Sequence, residues 1–430
     1  MIENIKKIAR NYFFTIIKIF FVLLWVAVFN IIGRFTWGFG FQTFILIILI
    51  SAVIISIPFI KKKYFPDIKN ENKIVLIGLI VILSFFLVGL TIKTSVGIYK
   101  TFKANPGVID IAGNTSMAGT IFLNGKNPYK HKSQLWHNLE SGKNITVVNK
   151  QVKLYGINYY HGFPYFPFMF LFYLPFKFLA NGDNSLRLAN LILMILNIIG
   201  FGILCFRSKD IINAFVNFLM IVLLYLSINV YVTEVFAFGI VDILISTLAL
   251  YAFIALHFKK YILFGVLMGL AQACKLLPAP LLILPVLVFL FFNNQKNILL
   301  KIIISYCITS FLFIFPFFIA DPQAFISATV LFYLVNHSAG DNTAMWFFLA
   351  NEVKPYFYVS GFLLSILIPF IFARRINSLP YLIAISFVSY LIFIGFAKMS
   401  HLNYLWGIYT IGCVSFGLLL NNEQPKDEIV

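Results

Sequence analysis

Ionisable side chains occur at several places where apolar runs begin or end, and charge there is costly in a membrane. They are Asp110, Glu234, Asp242, Lys275 and His401. Such residues in a membrane protein indicate function by default. Buried cations at the lipid–water boundary can hold a phosphate attached to a membrane lipid. A carboxylate beside them can take a proton from an acceptor hydroxyl. The pattern is therefore typical of group transfer from a lipid-linked phosphate.

Each of these residues also has a purely structural interpretation. Asp110 could be a solvated loop acid or a helix cap, and a lone histidine such as His401 is usually a hydrogen-bonded structural residue. Asp242 must pair with something, and a contact between helices is as plausible as a substrate contact. Lys275 could snorkel to the interface, but its position before Leu-Leu-Pro-Ala-Pro, between two apolar runs, favours a function.

Aromatic and histidine side chains are dense over residues 129–166. They would suit either an aromatic belt at the membrane surface or stacking against a sugar. The histidines match no metal-ligand spacing, and the outer loops lack an Asp-x-Asp motif, so we expect neither metal nor cofactor.

Composition identifies the class of protein that holds these residues. Of the 430 residues, 61% are hydrophobic and 11% charged, and the mean hydropathy is +0.92. A soluble domain is about 25% charged, so the chain is predicted to be a multi-pass, all-α membrane protein. The formal net charge of +18 would suggest nucleic acid in a soluble protein. Here the cations are expected to mark cytoplasmic loops and sites for anionic lipids, with no nucleic-acid partner.

Apolar runs long enough to cross a bilayer give about twelve predicted spans. They are 13–32, 42–60, 74–92, 186–205, 211–231, 238–256, 261–273, 276–293, 299–319, 356–373, 380–397 and 402–420. The run 261–273 is short enough to be a half-helix. A further apolar segment, 164–181, contains Pro164, Pro167 and Pro175, which a lipid-exposed helix tolerates poorly.

Positive charge in the short loops predicts that 164–181 does not cross. With the N-terminus in the cytoplasm, a non-crossing segment leaves the later basic pairs inside, as the positive-inside bias prefers. These pairs are Arg207 and Lys209, Lys259 and Lys260, Lys296 and Lys301, and Arg374 and Arg375. The segment is therefore expected to be a re-entrant or interfacial helix on the outer face, which gives two large outer regions, 93–185 and 320–355.

Several motifs in this order resemble those of the GT-C glycosyltransferases, and in particular the bacterial polyprenol-phosphate-mannose-dependent alpha-mannosyltransferases. They are Asp110, Asn124-Gly-Lys-Asn-Pro-Tyr129, Phe163-Pro-Tyr-Phe-Pro-Phe168, Lys275 with Pro278 and Pro280, and Ser400-His401 with Tyr404. The chain departs from the family where Tyr-Pro-Pro becomes Tyr165-Phe166-Pro167 and Gly-Gln-x-Asn becomes Gly239-Ile-Val-Asp242. These departures affect the sugar and acceptor more than the reaction class.

The resemblance implies a GT-C-like domain over 61–430, preceded by two extra spans in 1–60. It implies transfer of a hexose, mannose being the family's sugar, from a polyprenyl-phosphate donor to a lipid-linked glycan or another hydroxyl. The site would face outward from the cell membrane. Asp110 would be the base of an inverting displacement, and Lys275 and His401 would hold the donor phosphate. Tyr129, His161, Tyr165, Glu234, Asp242 and Tyr404 would line the pocket.

Two other classes of function remain open at this point. A transporter or lipid flippase should show internal pseudo-symmetry and several charges in the middle of spans, and Lys18 and Asp242 are the only candidates for such charges. An O-antigen polymerase or ligase also has large outer loops, but those enzymes generally rely on arginine and histidine there. Region 93–163 contains lysine and no arginine.

Overall fold

The structure is a computed structural model of the 430-residue chain. It describes residues 19–20, 22–28, 40–64, 73–108, 110–130, 153–154, 157–158, 162–206, 210–227, 235–331, 349, 352–376, 378–397 and 402–420. The predictions for His161, Glu234 and His401 lie outside these residues, and for Asp110 the description covers the backbone alone.

Helices make up nearly all of the described chain. In order they are α1 Gly40–Tyr64, α2 Lys73–Ala104, α3 Asp110–Leu123, α4 Pro167–Tyr173, α5 Asn184–Cys205, α6 Ile211–Ser227, α7 Ile243–His257, α8 Tyr261–Gln272, α9 Pro278–Phe292, α10 Lys296–Ala320, α11 Pro322–Ile326, α12 Lys354–Phe372, α13 Leu379–Phe396 and α14 Leu402–Leu419. Residues 22–28 are also helical, within the first predicted span. Strands β1, Lys153–Leu154, and β2, Ile157–Asn158, form a small antiparallel pair, which the all-helical prediction lacked.

Five described helices are long and apolar enough to cross a membrane: Leu76–Ala104, Asn184–Cys205, Lys296–Ala320, Tyr356–Arg375 and Leu379–Phe396. The chain is thus a multi-pass membrane protein. Other predicted spans coincide with shorter apolar helices, such as Ile243–His257 and Pro278–Phe292. Fifteen helical residues cover about 22 Å, less than the roughly 30 Å of a hydrocarbon core. The total of twelve crossings therefore stays a prediction.

The Pro-rich segment forms two short pieces. Helix α4 is followed by a 3-10 turn at Pro175–Phe178. Because proline removes a backbone donor and clashes with the preceding turn, the helix is interrupted at Pro175. The twelve residues from Pro167 to Phe178 cover about 18 Å, too little for one helix to cross the bilayer.

The outer region predicted at 93–185 contains more helix than expected. Helix α2 continues to Ala104, twelve residues past the predicted end of the third span at 92, and α3 follows after a short turn. The apolar run ends near 92, but Lys93 and the threonines after it are compatible with helix, so the helix continues beyond the hydrophobic stretch.

Helix α13 lies at the centre of the bundle. It contacts α1, α9, α12 and α14, and 94% of its residues are buried within the protein. In the most apolar stretches of α2 and α10 only 17% of the residues are buried, so both helices expose most of their surface. In a membrane protein, such apolar surfaces face lipid.

Helix α8 packs closely on α10 through small residues. A Cβ added to Gly265 would lie 2.0 Å from Ser305 Oγ, and one added to Gly269 would lie 2.7 Å from the Tyr306 carbonyl oxygen. Glycines four residues apart let helices approach in this way. Tyr306 also donates a hydrogen bond to Gln272 at 2.9 Å. These contacts hold the end of α8, from which the chain continues to Lys275.

Candidate functional site

The candidate site surrounds the link between α8 and α9, at residues 273–277. Pro278 is the first residue of α9, and a proline is compatible with a helix start and unfavourable within one. The Gln272 side chain donates to the Leu276 carbonyl at 3.1 Å and holds the link. The sequence thus breaks the helix at the place where Lys275 stands.

The Pro-rich segment is hydrogen-bonded to this link. The backbone N–H of Phe166 donates to the Cys274 carbonyl at 3.1 Å, and that of Phe168 donates to the Ala273 carbonyl at 2.9 Å. These two bonds use N–H groups near the start of α4, which have no partner within the helix. They place Tyr165 beside Lys275.

Lys275 is almost completely buried, and its ammonium has three partners. Its Nζ atom lies 2.8 Å from Asp242 Oδ1, with 6% of the lysine side chain and 3% of the aspartate side chain exposed. The same atom lies 3.8 Å from the Tyr404 ring centroid and 5.2 Å from that of Tyr165. A carboxylate and two aromatic faces are the surroundings that a dehydrated cation requires.

Asp242 is positioned by the turn that precedes α7 and by the close approach of α14. A Cβ added to Gly407 would lie 3.0 Å from Asp242 Cβ. Only glycine leaves room for α14 to come this near, and the approach places Tyr404, one turn earlier on α14, over the ion pair. Four residues predicted for one site, Tyr165, Asp242, Lys275 and Tyr404, are therefore brought together from separate elements.

Tyr129 lies behind Tyr165 and supports it. The hydroxyl of Tyr129 is buried and donates to the Tyr165 carbonyl at 2.9 Å. Asn127 Oδ1 accepts from the Tyr129 backbone N–H at 2.9 Å, the asparagine turn expected of Asn-Pro-Tyr. Because a Cβ at Gly162 would lie 2.0 Å from the Tyr129 carbonyl oxygen, glycine is needed there. Burial raises the pKa of the Tyr129 phenol, so it remains a donor.

The backbone places Asp110 at the first residue of α3. Helix α3 packs against α4, with Phe122 and Phe170 ring centroids 5.5 Å apart. Among the residues outside the description, Glu234 directly precedes helical residues 235–237, His161 precedes Gly162, and His401 precedes α14. Their places in the site stay predictions.

Two features near the site were not predicted from the sequence. One is Arg187 in α5, whose side chain is completely buried. The other is Asp321, which accepts from the Ala324 backbone N–H at 2.9 Å and lies 2.8 Å from Lys130 Nζ. The Ala324 N–H and then Lys130 lower the pKa of the Asp321 carboxyl. The Asp321-Pro322 pair at a helix start was a readable signal for the cap.

Phe325 of α11 joins the two regions that the sequence predicts to be outer, 93–185 and 320–355. Its ring centroid lies 4.7 Å from that of Tyr129 and 5.8 Å from that of Phe166, on which it stacks. The chain then forms a π-helical turn at Ser327–Leu331. The start of the predicted outer region 320–355 thus packs against Phe166, the residue next to Tyr165.

Within the part of the chain that the structure describes, no group of three or more histidine, cysteine, aspartate or glutamate residues could hold a metal ion. The one carboxylate placed at the site by its side chain, Asp242, faces the Lys275 ammonium. The described residues of the site therefore present one ammonium group, that of Lys275, paired with Asp242 and flanked by the rings of Tyr165 and Tyr404.

Comparisons with known proteins give one match. No family model matches the sequence, and no curated protein matches it. The fold is similar to the crystal structure of ArnT from Cupriavidus metallidurans bound to undecaprenyl phosphate, with a TM-score of 0.47 and 12% sequence identity. The match covers 78% of this chain and 60% of the ArnT chain, so this chain corresponds to less than two thirds of that protein. Similarity at this level adds no argument about function.

Proposed function

We propose that the protein is a membrane glycosyltransferase that moves a hexose from a polyprenyl-phosphate donor to a lipid-linked glycan or another hydroxyl, on the outer membrane face. The observation that supports it is the convergence of Tyr165, Asp242, Lys275 and Tyr404 in one buried cluster. Mannose is the first sugar to test, because the motifs resemble those of mannosyltransferases.

In the proposed reaction the Asp110 carboxylate takes the proton of the acceptor hydroxyl. The hydroxyl oxygen forms a bond to the anomeric carbon while the bond from that carbon to the phosphate oxygen breaks. Polyprenyl phosphate leaves with the electron pair, and the configuration inverts. A cation beside the leaving oxygen stabilises the developing charge, and a monophosphate needs no metal if lysine and histidine neutralise it.

Lys275 can fill this role only by sharing its charge. Its ammonium is already neutralised by Asp242, so a phosphate that approaches would compete with that carboxylate. The Tyr404 ring lies over the same ammonium at 3.8 Å and would have to move aside. In this proposal Asp242 is the internal counter-ion of Lys275, and Tyr404 controls access to it.

A second candidate is a transporter, and the buried ion pair is the observation that favours it. Charged pairs within a helical bundle mark ion and proton pathways in transporters. The two candidates differ in their products: the glycosyltransferase joins a sugar to an acceptor, whereas the transporter changes no covalent bond.

The decisive experiment incubates the purified protein in nanodiscs with a radiolabelled polyprenyl-phosphate hexose, mannose first, and a lipid extract as acceptor. We expect transfer by the wild type and a loss of at least about 100-fold in Asp110→Asn, because the amide cannot accept the proton. Asp210→Asn is the matched control, since Asp210 caps a remote helix, α6, and is exposed. Full transfer by Asp110→Asn would remove Asp110 as the base.

A further inference from the structure

Arg187 is a fully buried arginine whose donors meet neutral oxygens. Its Nε and Nη2 atoms donate to the Ala237 carbonyl at 3.3 and 2.9 Å, and Nη2 also donates to the Pro106 carbonyl. Its Nη1 atom donates to Asn105 Oδ1 at 2.6 Å and to Asn184 Oδ1 at 2.9 Å. The planar guanidinium therefore joins three parts of the chain in a fixed geometry.

Two of these parts lead directly to the carboxylates of the candidate site. Asn105 and Pro106 form the turn between α2 and α3, and α3 begins at Asp110. Ala237 is the last of the helical residues 235–237, directly before the turn that leads to Asp242 and α7. One side chain thus binds the segments that precede Asp110 and Asp242.

Gly239 brings the same two segments into direct contact. Its φ is +69°, and a Cβ there would lie 3.2 Å from both Ala112 Cβ and Val108 Cγ1. The turn before Asp242 therefore rests on the first turn of α3. Asn190 fixes this turn from its other side, by donating to the Val235 and Ile240 carbonyls at 2.8 and 3.1 Å.

We propose that Arg187 is a positioning residue that holds the start of α3, and with it Asp110, at a fixed place beside the Asp242 turn. The role of Asp110 rests on the proposed function, whereas the clamp between the two turns does not. Misplacing a base by about 1 Å can reduce turnover about 100-fold. A clamp on the backbone before Asp110 therefore acts on the rate of the chemical step more than on donor binding.

Removing Arg187 risks misfolding, because several buried acceptors would lose their donor. The test therefore changes Asn105, the exposed residue that accepts a hydrogen bond from Arg187. Asn105 has a φ of +43°, and Asn105→Gly deletes the acceptor without straining the backbone. Asn294→Gly is the matched control, since Asn294 has a φ of +58° in the turn between α9 and α10. Arg187→Lys, which keeps the charge and loses the fork, is the second variant.

Kinetics and cross-linking are measured on the same variants. We expect Asn105→Gly and Arg187→Lys to lower kcat about 10-fold with the donor KM within about twofold, and Asn294→Gly to match the wild type. The cross-link joins Val108→Cys to Gly239→Cys, because a Cβ at Gly239 lies 3.7 Å from Val108 Cβ, a separation typical of disulfides. A side chain at the positive φ of Gly239 strains the turn equally in every variant, so only the differences in cross-linking rate between variants are compared. Cys307, the exposed native cysteine among those described, is replaced by serine throughout.

Cross-linking reports the clamp without any substrate. We expect oxidation of the cysteine pair to be at least about threefold slower with Asn105→Gly than with Asn294→Gly. Equal cross-linking rates would overturn the inference, whatever the kinetics show. If the wild type transfers no sugar, the proposed function fails, and the cross-linking rates alone then decide the role of Arg187.

Discussion

The charge of Lys275 is buried where little water reaches it, and the carboxylate of Asp242 stabilises this charge. Breaking a buried pair by removing one partner leaves a dehydrated charge and costs about 3–5 kcal/mol, whereas replacing both partners by neutral groups costs much less. The two residues are 33 positions apart in the sequence. Their separate removal and joint removal should therefore have different consequences.

We predict that Asp242→Asn and Lys275→Met each lower stability by about 3 kcal/mol, and that the double variant regains most of the loss. Thermal unfolding in detergent measures the effect. The double variant should still fail to use the lipid-linked donor, because the cation for the phosphate is gone. Restored stability together with restored transfer would show that the pair serves the fold alone.

The resemblance predicts Lys275, Asp242, Tyr165 and Tyr404 for one site, and the structure brings these four side chains together. The place of the Tyr404 ring over the ion pair was not predictable, because it depends on Gly407 letting α14 approach Asp242. Arg187 was missed for a related reason. It lies three residues inside an apolar helix, and its acceptors are backbone carbonyls and asparagine amides that no sequence pattern marks, so only the fold reveals them.

At the scale of elements, α11 links the two regions predicted to be outer through the Lys130–Asp321 ion pair and the Phe325 ring. The Lys130–Asp321 pair is partly exposed, with 54% of the lysine side chain accessible, so its own contribution is at most about 1 kcal/mol. Phe325 packs on Tyr129 and Phe166 from the same short helix, α11. Docking of α11 therefore combines a charge that titrates with an apolar contact that does not.

The lowered pKa of Asp321 gives this docking a pH dependence of known sign. Its charged form is favoured in the folded protein, so the contribution is present above the ordinary value of 3.8 and is lost as pH falls through the depressed folded pKa. A spin label at the exposed Gln323 should gain mobility over that range. Asp321→Asn keeps the helix cap and lacks the charge, so the mobility of the spin label should not change with pH in this variant. The same pH dependence in Asp321→Asn as in the wild type would contradict the prediction.

Element types were largely predictable from apolar runs, but their ends were not. The runs predicted where α5, α10 and α13 lie because these helices are apolar throughout. Helix α2 extends well past its apolar run, and α7 and α9 are shorter than theirs, because backbone hydrogen bonding and turns end a helix independently of hydrophobicity. The pair β1 and β2 is too short to give an alternating pattern.

At the scale of the whole molecule, the site can work on a lipid-linked donor at the outer face only if α10 carries the chain from the inside to the outside. Helix α10 has 25 residues, about 37 Å, and runs from Lys296 to Ala320 just before Asp321. The positive-inside bias places Lys296 and Lys301 in the cytoplasm. Asp321, Lys130 and the site would then lie outside together.

Cysteine labelling of intact cells tests this arrangement in a Cys307→Ser background. We predict that single cysteines at the exposed residues Lys126 and Glu352 react with an impermeant maleimide from outside, and that one at Asn294 reacts only after the membrane is opened. Lys126 and Glu352 lie on either side of six predicted spans, an even number, so they must label alike if 164–181 stays on the outer side. If Glu352 labels while Lys126 is protected, the Pro-rich segment takes part in a crossing, and Asp110 does not lie on the same side of the membrane as the cluster around Lys275, which the proposed reaction requires.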